Sequence, residues 1–274
     1  MGNKRFETYV ENRKDLFIPF IVSGDPSPET TVDLALTLEK AGANALELGI
    51  PYSDPLADGP VIQAASARAL AHNMSLERSM KLVSKMREEG LKIPVIIFTY
   101  YNLLLQLGKE NFFALAQENE IDGLLVPDMP FEESEELRVS CEQHNIAYIS
   151  LVAPTTSEAR LTRIAENAQG FLYCVSSLGV TGERQEFHPS VYQFLEKVNA
   201  VSPVPVAVGF GISNSSQVEA LKDLCGGVIV GSAIVRKIEE QKDFLLDQSK
   251  KEQALKSIYD DVSAIIAPYS KIKS

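Results

Sequence analysis

An order that recurs eight times constrains this chain most: a short apolar run, turn residues, then a longer amphipathic stretch. The apolar runs are Phe17–Val22, Ala45–Leu48, Pro94–Phe98, Gly123–Val126, Ala147–Val152, Phe171–Val175, Pro205–Val208 and Gly227–Val230. Each is short and bounded by Gly, Pro or Asp, which favours buried strands over helices. Between them, Glu29–Ala41, Leu76–Glu89, Glu110–Asn119, Glu132–His144, Glu158–Asn167, Val191–Val201 and Ser216–Leu224 mix apolar and charged residues at helical spacing. Alternating strand and helix implies a parallel sheet covered by helices, and eight units suggest closure. The expected fold class is α/β, a (β/α)8 TIM barrel forming a single domain over residues 1–274. A doubly wound open sheet is the structural alternative. Extra helices are expected at Lys4–Arg13 near the N-terminus, at Gln63–His72, and at Glu252–Ile266 near the C-terminus. The charged stretch Glu239–Gln253 reads as a solvated helix face or loop.

A length of 274 residues with 45% hydrophobic content suits such a barrel. The net charge of -11 disfavours nucleic-acid binding, which needs a basic face. Binding of a small anion is still allowed, because bulk charge is screened beyond roughly 8 Å and local donors decide. The start, Met1 to Asp15, is too polar for a signal peptide, and no apolar run approaches the roughly 20 residues of a membrane span. Three separated cysteines, with no CxxC pair, indicate neither a disulfide framework nor a zinc ribbon. A reduced cytoplasmic protein is expected.

In a barrel of this kind the chemistry sits at the C-terminal ends of the strands. The second strand ends in Ala45-Leu46-Glu47-Leu48-Gly49. With Leu46 and Leu48 against the helices, alternation turns Ala45, Glu47 and Gly49 into the barrel. A carboxyl placed there has a raised pKa and can hold or release a proton near neutrality. The competing reading is a structural Glu paired with a cation, yet no Lys or Arg lies within the strands. The loop that follows, Pro51 to Pro60, carries Asp54 and Asp58. Asp54 fits a turn or a partner contact. Asp58 fits either a cap for the next helix or a second catalytic carboxylate on the same rim.

The seventh strand runs into Gly209-Phe210-Gly211-Ile212-Ser213 and the eighth into Gly231-Ser232-Ala233. Glycine loops at these two positions, with a helix N-terminus, form a phosphate site in many barrels. The segment Ser176–Arg184, with two glycines and no periodicity, has the profile of a lid. Tyr173 lies on the strand before it. No lysine follows a strand, which argues against a Schiff base. The three histidines are scattered at helix ends or past the lid, which argues against a metal site. Cofactor-free acid–base chemistry on a phosphorylated substrate remains.

The same residues carry a family likeness. The segments Ala45–Pro60, Gly179–Gly182, Gly209–Ser213 and Gly231–Val235, with Pro19–Pro26 and Tyr100–Asn102, resemble the tryptophan synthase alpha subunit, in family order from Pro19 to Val235. The resemblance implies a carbon–carbon lyase that splits indole-3-glycerol phosphate into indole and glyceraldehyde 3-phosphate. It implies that Glu47 protonates indole C3 and takes the glycerol hydroxyl proton, and that Asp58 stabilises charge on the indole nitrogen. Phe20, Tyr100 and Tyr173 match positions around the indole ring. Gly182, Phe210, Gly211, Gly231 and Ser232 match the phosphate side of the substrate site, and Thr181 a lid residue that orients the aspartate. Asp54, Pro55, Asn102 and Pro130 match contacts with a beta subunit in an alpha2-beta2 complex. That partner uses pyridoxal phosphate, whereas this chain is expected to need no cofactor. Ser177-Leu178 and Tyr101 depart from common family residues. The alternatives are a stand-alone lyase releasing free indole, a weakly active barrel that mainly activates its partner, and a phosphosugar isomerase, which leaves the Pro51–Pro60 loop unexplained.

Overall fold

The computed structural model describes residues 3–11, 13–175, 189–209 and 211–270. Its strands are β1 (Leu16–Val22), β2 (Leu46–Gly49), β3 (Val95–Phe98), β4 (Gly123–Leu125), β5, β6 (Leu172–Val175), β7 (Val206–Gly209) and β8 (Gly227–Val230). The fifth consists of two segments, Ala147–Tyr148 and Ser150–Val152, separated by Ile149. Every pairing is parallel. The first half of β5 pairs with β4 and the second half with β6, while β1 pairs with both β2 and β8. The sheet thus closes on itself through β5, and the doubly wound alternative falls away.

Strand alternation sorts the core into two layers. Leu16, Ile18, Ala45, Ile96, Leu125, Ile149, Phe171, Ala207 and Ile229 fill the barrel interior. Leu46, Leu48, Val95, Ile97, Leu124, Val206 and Val228 belong to the layer between sheet and helices. The floor is filled from the N-terminal helix Lys4–Tyr9, whose Phe6, together with Val10 just beyond it, is buried with the interior set. Gly170 makes room for it: a Cβ there would lie 2.7 Å from the Phe6 ring. Beside this helix a buried carboxylate, Asp122, accepts from Arg87 Nη2 at 2.6 Å, Arg5 Nη1 at 3.1 Å and the Val95 N–H at 2.9 Å. Asn44 likewise accepts the Phe17 N–H at 2.8 Å, and Asp128 accepts the Tyr101 N–H at 3.0 Å. Side chains from one loop thereby brace the backbone of the preceding unit.

Most helices fall within a few residues of expectation, among them Pro28–Lys40, Leu76–Glu88, Glu158–Glu166 and Pro189–Val201. Ser27 and Ser75 cap the first two through their side chains. The charged stretch near 239–253 ends one helix, Ser232–Leu246, and begins the next, Lys251–Ile265, so it is a solvated face with a short turn. The helix Tyr101–Leu107 was not expected from the sequence. Among the described residues no helix is long and apolar enough to cross a membrane.

Candidate active site

Glu47 faces inward, as strand parity requires: Ala45 lies in the interior set, and Leu46 and Leu48 in the outer layer. Its register neighbours are Phe20 on β1 and Ile96 on β3. It is 1% exposed, and among the described residues its Oε1 has no hydrogen-bond partner. Burial alone pushes its pKa up to about 8. Among the described residues no cation pairs with it. Tyr173 is buried close enough to feel the same carboxylate: burial first, and then the Glu47 charge, raise its phenol.

Asp58 lies half-buried on the loop after β2. Burial raises its pKa, and a hydrogen bond from Tyr100 opposes that rise. Tyr100 is itself buried, and its hydroxyl also accepts the Ala57 N–H at 3.0 Å, so one phenol holds both the backbone and the carboxylate of this loop. The capping alternative for Asp58 is not realised. Gly59 occupies the N-cap of Pro60–Ala71, and no side chain caps that helix. Instead Gln63 Nε2 donates back to the Asp58 carbonyl at 2.8 Å.

The rest of the rim is aromatic on one side and glycine-lined on the other. Phe20 packs edge-on against Phe98 with ring centroids 5.3 Å apart, and a Cβ on Gly49 would come within 2.4 Å of its ring. Tyr173 lies over Gly209, where a Cβ would meet its hydroxyl at 2.2 Å. Gly211 has φ +80°, a backbone that favours glycine, and its carbonyl accepts from Gln217 Nε2 at 3.0 Å. Gly231 is the N-cap of Ser232–Leu246, and Ser232 is its first residue. Among the described residues no side chain caps that terminus, so its N–H groups and its positive dipole end suit an anion.

Asp54 is exposed and accepts from Ser53 Oγ at 2.6 Å. Pro55 is half-buried beside Leu56, which is 87% exposed. Asn102 donates to the Tyr52 hydroxyl at 3.2 Å, and Pro130 is exposed at the start of the turn Phe131–Glu133. These four positions follow the ends of β2, β3 and β4: Asp54, Pro55 and Pro130 on loops, and Asn102 in the first turn of the helix Tyr101–Leu107. Thr181, Gly182 and Phe210, with the whole lid segment, lie outside the described residues.

Sequence reasoning did not single out Phe98, Leu151 and Val175. They pack against the interior set yet are only partly buried, so they line its open end. Parity with Ile96, Ile149 and Tyr173 was the signal that identifies them. Among the described residues no group of three or more His, Cys, Asp or Glu is placed to hold a metal ion.

A family model described as the tryptophan synthase alpha chain matches residues 6–264. The tryptophan synthase alpha chain of Halalkalibacterium halodurans is 59% identical over 96% of this chain and 99% of its own. That of Bacillus subtilis is 57% identical over 97% and 99%. Among solved structures, tryptophan synthase subunit alpha from Legionella pneumophila superposes with a TM-score of 0.86 at 35% identity, covering 99% of both chains. A chain from the tryptophan synthase a2b2 complex of Pyrococcus furiosus gives 0.83 at 34% identity, covering 94% of this chain and 99% of that one.

Proposed function

The chain belongs to the tryptophan synthase alpha chain family, and from that premise we propose how its rim performs the alpha reaction of tryptophan biosynthesis. It is a lyase acting on indole-3-glycerol phosphate. The bond broken is the carbon–carbon bond between indole C3 and the glycerol chain. Glu47 in its acid form gives a proton to C3, leaving positive charge on the ring nitrogen, which Asp58 stabilises. The Glu47 carboxylate then takes the proton of the adjacent glycerol hydroxyl. As the carbon–carbon bond breaks, its electron pair returns to the ring and the hydroxyl carbon becomes the aldehyde. Indole and glyceraldehyde 3-phosphate result, and Glu47 is protonated again.

The observation that carries this reading is Glu47: an inward, buried carboxyl that no cation among the described residues pins, poised to exist in both forms near neutrality. Asp58, half-buried and hydrogen-bonded by Tyr100, suits the ionised partner. Phe20, Phe98, Leu151, Tyr173 and Val175 supply apolar walls for indole. Gly211, Gly231 and Ser232 supply backbone donors for the phosphate, joined by Gly182 and Phe210, while Thr181 orients Asp58 under a closed lid. No step in this chain needs a cofactor; pyridoxal phosphate belongs to the partner. Asp54, Pro55, Asn102 and Pro130 form the surface for a beta subunit; the Pyrococcus furiosus neighbour comes from an a2b2 complex. The cytoplasm is the compartment where this biosynthesis runs.

The test is incubation of the purified chain with indole-3-glycerol phosphate, with and without a beta subunit, and detection of indole. Glu47→Gln and Asp58→Asn are each expected to reduce indole release by about 10²-fold or more while beta-subunit binding persists. Wild-type turnover by Glu47→Gln removes this residue from the mechanism. Strong activity with no gain from the partner points to the stand-alone lyase.

A further inference from the structure

Away from the reacting groups, one cation joins three parts of the rim. Arg68 Nε and Nη2 grip the two oxygens of Asp25 at 2.7 and 3.0 Å, and its Nη1 reaches Glu239 Oε1 at 2.7 Å. Asp25 is 2% exposed and lies just beyond β1, the strand that carries Phe20. Arg68 sits on the helix Pro60–Ala71, which follows Asp58-Gly59 directly and whose Gln63 holds the Asp58 carbonyl. Glu239 sits on the helix Ser232–Leu246, whose N-terminus is the phosphate site proposed above. At 1.5 Å per residue, both helices are tied roughly 10–12 Å from their working ends.

We propose that Arg68 is a positioning residue: through Asp25 and Glu239 it fixes the spacing between the Asp58 loop and the phosphate-binding helix. This deepens the functional reading above and rests on it. A substrate with an indole at one end and a phosphate at the other must reach both elements at once. A misplacement of about 1 Å between them lowers the rate by around 10²-fold. The two-pronged grip on Asp25 needs the planar guanidinium fork, which a lysine lacks. A purely structural ion pair would use the same contacts, so the test must separate spacing from folding.

Full-length chain, assayed with its beta subunit, is compared as wild type, Glu239→Gln, Arg68→Lys and the double variant. Wild-type indole release is the control; its absence removes the functional reading and this inference together. Glu239→Gln discharges only the half-exposed arm and weakens its hold on Arg68. It is expected to raise KM for indole-3-glycerol phosphate about 5-fold, with kcat and the urea midpoint close to wild type. Arg68→Lys is expected to lower kcat/KM about 30-fold, well beyond any loss of folded protein. Adding Glu239→Gln to Arg68→Lys is expected to change KM no further, because the link is already broken. An unchanged KM in Glu239→Gln overturns the proposal. So do effects that multiply in the double variant, or an Arg68→Lys loss that merely tracks the folded fraction.

Discussion

Replacing Glu47 by Gln should make the protein's stability less sensitive to alkali. In the folded chain burial holds the Glu47 pKa at about 8, against an ordinary value of 4.5. Between those limits the folded state keeps a proton that the unfolded state has released, so rising pH favours unfolding. The stabilising contribution is complete below pH 4.5 and is lost as pH climbs through about 8. Each pH unit in that window is worth about 1.4 kcal/mol. From pH 5 to pH 8.5 the single carboxyl therefore costs wild type about 4 kcal/mol, a sizeable part of a stability of about 5–15 kcal/mol. Glutamine cannot ionise and escapes this loss. Its amide adds a constant offset, so only the trend with pH matters. Urea unfolding of both proteins at pH 5, 7 and 8.5 measures it. The stability difference is expected to move in favour of Glu47→Gln by about 4 kcal/mol across the series. Parallel pH profiles would show that Glu47 is solvated or paired, and the argument for its raised pKa would fall.

Three other outcomes follow from the geometry. Tyr100→Phe removes the hydroxyl that serves Asp58 and the Ala57 N–H, and the loss of a hydrogen bond to a charged group, about 1.5–3 kcal/mol, should lower kcat/KM about 10- to 100-fold in steady-state assays. Gly209→Ala places a methyl 2.2 Å from the Tyr173 hydroxyl, so Tyr173 must move; KM for the substrate should rise about 10-fold while circular dichroism shows an intact fold. Asp122→Ala leaves the buried Arg87 guanidinium with carbonyl acceptors but no carboxylate, and urea denaturation should record a loss of about 3–5 kcal/mol.

What the sequence made legible was what strand periodicity controls. Alternation alone put Glu47 inside the barrel, and the glycine turns after the last two strands marked the proposed phosphate side. Closure was harder, because it depends on β5, whose two halves pair with different neighbours on either side of Ile149. The helix Tyr101–Leu107 was illegible because its first N–H is capped by Asp128, a residue far along the chain, and not by a local Ser or Asp. Asp58 stayed ambiguous for a related reason. Its place off the helix cap is held by Tyr100 and Gln63, and no local spacing rule connects these side chains to Asp58. The Arg68 link is equally invisible in sequence, since its three members join elements separated by most of the chain.

The N-terminal helix has a bearing on traffic as well as on packing. With Phe6 and Val10 stoppering its base, the barrel is a cup and not a pipe. Indole is flat and uncharged, and once freed from its phosphate tail it is held only by walls. Downward escape is closed to it, so it departs across the brim, where Leu56 and Pro130 stand exposed. A partner seated there would stand where the product emerges, and Phe6 and Val10 at the opposite pole of the protein have helped set that direction.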